Sequence, residues 1–162
     1  MAKAIPICGK ICSGKSTYAR RLRQETGAAV LSVDEIMIAR FGRYAGEKHD
    51  EYAARTEAYL LGKSLELVAA GIGVVLDWGF WGRASRAEAK AFFTSRGVAC
   101  EMHYLDVSEA VWRMRLEERN RRVKAGEASA YLVDENLARK AGSLFETPDE
   151  NEIDVWIHVR TP

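Results

Sequence analysis

Hydrophobic residues along this chain come in two patterns. Mostly apolar runs stand at residues 4–8, 28–32, 74–76, 98–105 and 155–159. The runs at 4–8 and 74–76 are unbroken, so they predict strands covered on both faces, as in the middle of a parallel sheet. Elsewhere apolar positions recur at helical spacing. Ala54, Ala58, Leu61, Leu65 and Val68 step by four and three, which predicts one apolar face on a helix over 50–70, ended by Gly71. Further helices are predicted at 15–25, ended by Gly27, at 35–41, and at 84–96, capped by Gly97. Another is predicted at 107–123, opened by a capping box from Asp106 and Glu109, and a last one at 131–145, broken by Pro148. Strand and helix alternate, with one extra helical segment between the fourth and fifth strands. That order predicts an α/β three-layer sandwich around a five-stranded parallel sheet with right-handed crossovers. No repeat, low-complexity tract or shift in composition divides residues 1–162, which read as one domain.

The polar residues between the first strand and first helix change the picture. Gly9-Lys10-Ile11-Cys12-Ser13-Gly14-Lys15-Ser16-Thr17 matches G-x-x-x-x-G-K-[S/T], with an apolar strand before it and a basic helix after it. Gly9 and Gly14 let the backbone bend so that successive N–H groups point inward, and the helix N-terminus adds partial positive charge there. Lys15 is expected to reach the β- and γ-phosphates of a nucleoside triphosphate, and the Ser16 hydroxyl to ligate magnesium. No Asn-Lys-x-Asp stretch marks guanine selectivity, so ATP is the expected nucleotide.

Composition narrows the choice further. The chain has 162 residues and a formal net charge of +1, which argues against a protein that mainly coats nucleic acid. Three cysteines at spacings that suit no zinc site predict a reduced, cytoplasmic chain. Cys12, inside the phosphate loop, is expected to have a lowered pKa, so that its oxidation blocks nucleotide binding. Met1-Ala2-Lys3 leads straight into the first strand, so no leader is expected. No apolar run approaches membrane-spanning length. A monomer or weak dimer is expected.

Other chemistry clusters where strands end. Asp34 follows the second strand at the carboxyl edge of the sheet, where open α/β folds gather ligands. It suits a base that accepts a hydroxyl proton, or equally the N-cap of the helix that follows. Asp77 ends the third apolar run, as a carboxylate that holds magnesium or touches substrate. Trp78, Phe80 and Trp81 follow, placed to stack on a ring-bearing substrate or to pack the core. Arg40, Arg83 and Arg86 are candidates for anionic groups on the substrate. Arg115, Arg119 and Arg122 step by four and three along one helical face. Such a stripe suits clamping phosphate oxygens from a mobile lid over about 113–130, against the alternative of a solvated face. The polar loop at 42–48 is placed to cover a substrate. His49, His103 and His158 are scattered, and the last two read as structural.

With these pieces in hand the sequence resembles the small bacterial P-loop kinases. Relatives there include chloramphenicol phosphotransferase, zeta toxins, gluconate kinase and the 5′-kinase module of polynucleotide kinases. The motif Gly9 to Thr17 is shared widely. More telling are the strand and aromatic loop Val75-Leu76-Asp77-Trp78-Gly79-Phe80-Trp81 with Arg83 and Arg86, the arginines from Arg115 to Arg122, and the segment Phe145 to Glu152. The resemblance implies strand order 2-3-1-4-5, as in nucleoside monophosphate kinases. It implies Lys15 and Ser16 on phosphate and magnesium, Asp34 as the base, and lid arginines on the phosphates. Many relatives continue past the last strand with a loop and helix near the adenine, where this sequence stops. The expected activity is ATP- and Mg2+-dependent phosphoryl transfer to a hydroxyl of a small molecule. Two rivals are a kinase for polynucleotide 5′ ends or nucleotide-like substrates, and an ATP-hydrolysing switch acting through a protein partner.

Overall fold

A computed structural model describes residues 1–42, 45–128 and 133–161. Five strands, β1 (Ala4–Cys8), β2 (Ala29–Ser32), β3 (Val74–Asp77), β4 (His103–Val107) and β5 (Val155–Val159), form one parallel sheet in the order β2-β3-β1-β4-β5. Around it lie α1 (Lys15–Thr26), α2 (Val33–Phe41), α3 (His49–Ala69), α4 (Arg83–Thr94), α5 (Glu109–Lys124) and α6 (Glu135–Leu144). Successive strand residues serve opposite faces, as the pleat requires. Ala4, Cys8, Val74, Leu76 and Tyr104 pack with Ala89 and Phe93 of α4. Ile5, Ile7, Val75 and Leu105 pack with Ala19 and Leu22 of α1. This is why the β1 and β3 runs contain no polar residue until they reach the carboxyl edge.

Several boundaries differ from the sequence expectation, each for a physical reason. The fourth strand is predicted from Val98 but its ladder begins at His103, with only an isolated bridge between Ala4 and Cys100 before it. The bridge is closed by Ala4 N–H donating to Ala99 O and Glu101 N–H donating to Ala4 O. The next bond in that parallel ladder needs an N–H from residue 6, and Pro6 has none. Helix α2 starts two residues early because Ser32 is its N-cap, accepting from Glu35 N at 3.3 Å. Asp106 and Glu109 do not form a capping box. Ser108 caps α5, while Asp106 lies in β4 and holds His158 and Arg160 of the neighbouring β5 end. On α3 the predicted stripe is rotated. Ala54 and Ala58 are exposed, and the inward positions include Ala53, Leu60, Leu61, Ser64 and Leu65. Alanine is a good helix former that tolerates either environment, so it marks a face poorly. Helix α6 is Glu135–Leu144, capped by Asp134. The earlier part of its predicted span at Tyr131 and Leu132, the end of the predicted lid, and residues 43 and 44 of the polar loop lie outside the described residues.

The stops at Gly27 and Gly71 hold, whereas α4 ends at Thr94 with Ser95 as its C-cap, before Gly97 is reached. Gly27 has φ 73° and donates its N–H to Arg23 O, closing α1 in a left-handed conformation.

Candidate active site

The loop between β1 and α1 opens a cleft at the carboxyl edge of the sheet, bounded by α2, α3, the loop after β3, and α5. Gly14, the N-cap of α1, sits at φ 97°, and a Cβ there would lie 2.8 Å from Arg115 Nη1. A Cβ on Gly9 would lie 2.6 Å from Ser13 Oγ. Gly14 is therefore set by torsion as well as by close approach, and Gly9 by close approach. Ser13 is fully buried inside the loop, and its N–H donates to Lys10 O.

Lys15 Nζ donates to Gly9 O at 3.0 Å and Lys10 O at 2.8 Å, so the ammonium is held over the loop. Burial pulls its pKa below that of an ordinary lysine, against the opposing pull of Asp77 and then Asp34. Asp77, at the end of β3, is buried, with the Ser16 hydroxyl close enough to act on its carboxylate. Desolvation raises its carboxyl pKa, partly offset by Ser16 and Lys15. A hydroxyl and a carboxylate oxygen held together at a phosphate loop are the donor types magnesium takes, the rest of its shell coming from phosphate and water. Among the described residues no group of three or more His, Cys, Asp or Glu could hold a metal alone. Thr17 follows Ser16 into the cleft wall and is exposed.

Asp34 lies in the first turn of α2, facing the cleft, and Ser32 rather than Asp34 caps that helix. Its carboxylate acts electrostatically on Lys15, Asp77 and Glu57. Glu57, on α3, is half-buried, and burial followed by the charge of Asp34 pushes its carboxyl pKa up. The sequence reading missed Glu57. Its signal was a carboxylate four residues from both Ala53 and Leu61, on the inward stripe.

Helix α5 grips the phosphate loop along one face. Trp112 Nε1 donates to Ile11 O at 2.7 Å, Arg115 Nη1 to Ser13 O at 2.6 Å, and Arg119 Nη1 lies 3.4 Å from Cys12 Sγ. Arg122 lies at the rim, half-exposed, 4.0 Å from Glu127. Arg115, Arg119 and Arg122 all line the cleft. Trp112 was not foreseen, although it shares the spacing of the arginines. Lys10 contributes its carbonyl to the loop, while its side chain lies over the Trp112 ring and near Glu109.

Several expectations are corrected. Cys12 was expected to be acidic. Burial raises its pKa, and this outweighs the charge of Arg119. Arg86 was expected to meet substrate. It is 2% exposed, and donates to Glu152 at 3.0 Å and to the carbonyls of Phe80 (3.1 Å) and Trp81 (3.0 Å). It braces a turn in which Phe80 sits at φ 45°. Arg83 beside it is tied to Asp149 at 2.6 Å, and Arg40 turns to a shallow groove with Phe41 and Tyr52 rather than to the cleft. The aromatic loop lines the cleft, with Phe80 buried in the core and stacked on Trp78, and Trp78 and Trp81 half-buried. His103 is structural as expected, held between Tyr18 and Glu101.

This arrangement, a phosphate loop with a carboxylate after each of β2 and β3 and arginines on the facing helix, defines a nucleotide-binding P-loop protein of the kinase-like kind. The AAA_33 family, an AAA domain, matches residues 5–143, and the chain belongs to it. Similar solved structures carry the same fold at low identity. A sugar kinase from Janibacter sp. HTCC2649 is 17% identical with TM-score 0.68, over 100% of this chain and 88% of that one. A gluconokinase from Sinorhizobium meliloti 1021 is 17% identical with TM-score 0.63, over 99% and 84%. The Mycobacterium tuberculosis APS kinase CysC, solved with AMPPNP and APS, is 19% identical with TM-score 0.65, over 97% and 88%. No curated protein matches the chain. Among the described residues no helix is long and apolar enough to cross a membrane.

Proposed function

We propose that the chain transfers the γ-phosphoryl group of MgATP to a hydroxyl of a small molecule. The observation that carries this reading is the meeting of Lys15, Ser16, Asp77 and Asp34 at one edge of the sheet. In this reading the loop N–H groups and Lys15 hold the β- and γ-phosphates. Ser16 and Asp77 hold magnesium, which neutralises phosphate charge. Asp34 orients the acceptor hydroxyl and takes its proton as the oxygen attacks phosphorus and the bond to the β–γ bridging oxygen breaks. In the same reading Arg115, Arg119 and Arg122, on the helix that grips the loop, answer the charge on the moving phosphoryl group. A switch that only hydrolyses ATP has no use for a general base at Asp34.

The test is transfer from γ-labelled MgATP into fractionated metabolites and oligonucleotides, with wild type beside Asp34→Asn. Transfer to a small molecule should fall at least about a hundredfold in the variant, the usual range for loss of a general base, with ATP binding kept. Unchanged transfer would move the base role to Asp77. No acceptor at all, with hydrolysis indifferent to Asp34, would favour the switch.

A further inference from the structure

The sheet ends in β5, which pairs only with β4. Val155 N–H donates to Met102 O, and Val159 O accepts from Ser108 N–H, so Val155, Ile157 and Val159 turn their backbone groups toward β4. The N–H and C=O groups of Trp156 and His158 therefore turn outward, as on any edge strand. Among the described residues no loop or helix supplies a hydrogen bond to those groups. Nor do the side chains guard the edge. Val155-Trp156-Ile157-His158-Val159 contains no proline, lysine or carboxylate, the residues that usually keep an edge single. Val155, Ile157 and Val159 extend the row of Leu105 and Val107 and are only partly buried, whereas β1 and β3 are buried throughout. The charges stand at the two ends of the strand and differ in sign: Asp154 before it and Arg160 after it, both exposed.

We propose that this edge takes a second copy of the chain, β5 against β5, antiparallel about a two-fold axis at Ile157. In that register Ile157 meets its own copy, Val155 meets Val159, Trp156 meets His158, and Asp154 meets Arg160. Trp156 and His158 become hydrogen-bonded pairs, which joins every outward N–H of the strand to an outward C=O. Val155, Ile157 and Val159 fall at the closer, non-hydrogen-bonded positions, where facing side chains touch and the two apolar rows merge on one face. The rings of Trp156 and His158, stacked 6.1 Å apart within one strand, alternate with those of the other copy on the opposite face. Asp154 is already tied to Lys90, and Arg160 to Asp106. Bringing Asp154 to Arg160 therefore makes a row of four charges of alternating sign, a network rather than an isolated pair. A foreign strand would need an acid and a base at the same spacing about an apolar row, and β5 itself meets that need. Because the two strands run in opposite directions, the carboxyl edges of the two sheets point opposite ways and both clefts stay open. The pairing thus stands whatever reaction the cleft performs.

Sedimentation velocity on the full chain over a dilution series is the first test, with a dimer that dissociates on dilution expected. His158→Pro removes an outward N–H that the β4 ladder does not use. It should raise the dimer Kd at least about tenfold, for the hydrogen bond lost from each copy. His158→Val keeps the N–H and a β-branched side chain, and should stay within about threefold of wild type. Melting temperatures check that both variants fold. The second test reads the register. Ile157→Cys should link the two copies under mild oxidation, since facing Cα atoms about 4.5 Å apart are within disulfide range. Val155→Cys should not, because its own copy lies four residues along the strand, about 14 Å away. Wild type run beside them gives the background from Cys8, Cys12 and Cys100. A chain that stays monomeric at every concentration overturns the proposal. So does a dimer indifferent to His158→Pro, or one in which Val155→Cys links as readily as Ile157→Cys. Should His158→Pro fail to fold, the dilution series and the two cysteine variants decide alone.

Discussion

Arg86 carries the plainest lesson at the scale of one residue. Its guanidinium is almost wholly out of water, yet each side of it meets an acceptor: the Glu152 carboxylate and the carbonyls of Phe80 and Trp81. A planar fork of donors suits this geometry, and lysine cannot reproduce it. Replacing it by methionine fills the space but leaves Glu152 and two carbonyls without their donor. Arg86→Met should cost about 3–5 kcal/mol of unfolding free energy, the range for breaking a half of a buried ion pair. Urea denaturation checks this, and a loss below about 1 kcal/mol would mean the turn holds without its brace. An arginine among aromatics after a strand looks the same in sequence whether it faces substrate or carbonyls. Its burial depends on Glu152, which lies 66 residues away.

At the scale of the element, α5 decides how firmly the phosphate loop is held. Trp112, Arg115 and Arg119 stand on one face and reach Ile11, Ser13 and Cys12 in turn. The loop thus takes its shape from two directions: from its own glycines and from a helix more than 90 residues later in the chain. Trp112→Phe keeps an aromatic ring of smaller size but drops the hydrogen bond to Ile11 O. It should raise the Kd for MgATP by about three- to tenfold, the worth of one neutral hydrogen bond. Isothermal titration decides it, and an unchanged Kd would uncouple helix from loop. The stripe of Arg115, Arg119 and Arg122 was legible because helical spacing is local. The tryptophan was not, since a single aromatic on a helix usually packs into a core.

Over the whole molecule, strand order brings the ends of β1, β2 and β3 side by side, so residues 15, 34 and 77 converge though far apart in the chain. Nucleotide that binds only the folded state must stabilise it by mass action. MgATP at a hundred times its Kd should add about 2.7 kcal/mol. For a chain of this size that raises the Tm by roughly 5–10 °C. Lys15→Ala should remove most of that rise, read by scanning calorimetry with and without MgATP. An equal rise in the variant would place the nucleotide elsewhere.

The sequence by itself determined the phosphate loop, the alternation of strands and helices, and the carboxylates at strand ends. These rest on contiguous residues: eight positions of one motif, apolar runs, and glycines where a left-handed turn is needed. Tertiary structure decided the rest, because it depends on neighbours that adjacency does not reveal. Pro6 shortened β4 from the next strand over, by withholding one N–H. Burial, which no local pattern measures, pushed the Cys12 thiol up rather than down and turned Arg86 inward. Packing of α3 against α2 turned Ala54 and Ala58 outward and set Glu57 beside Asp34, making a pair of carboxylates from two residues 23 apart in the chain.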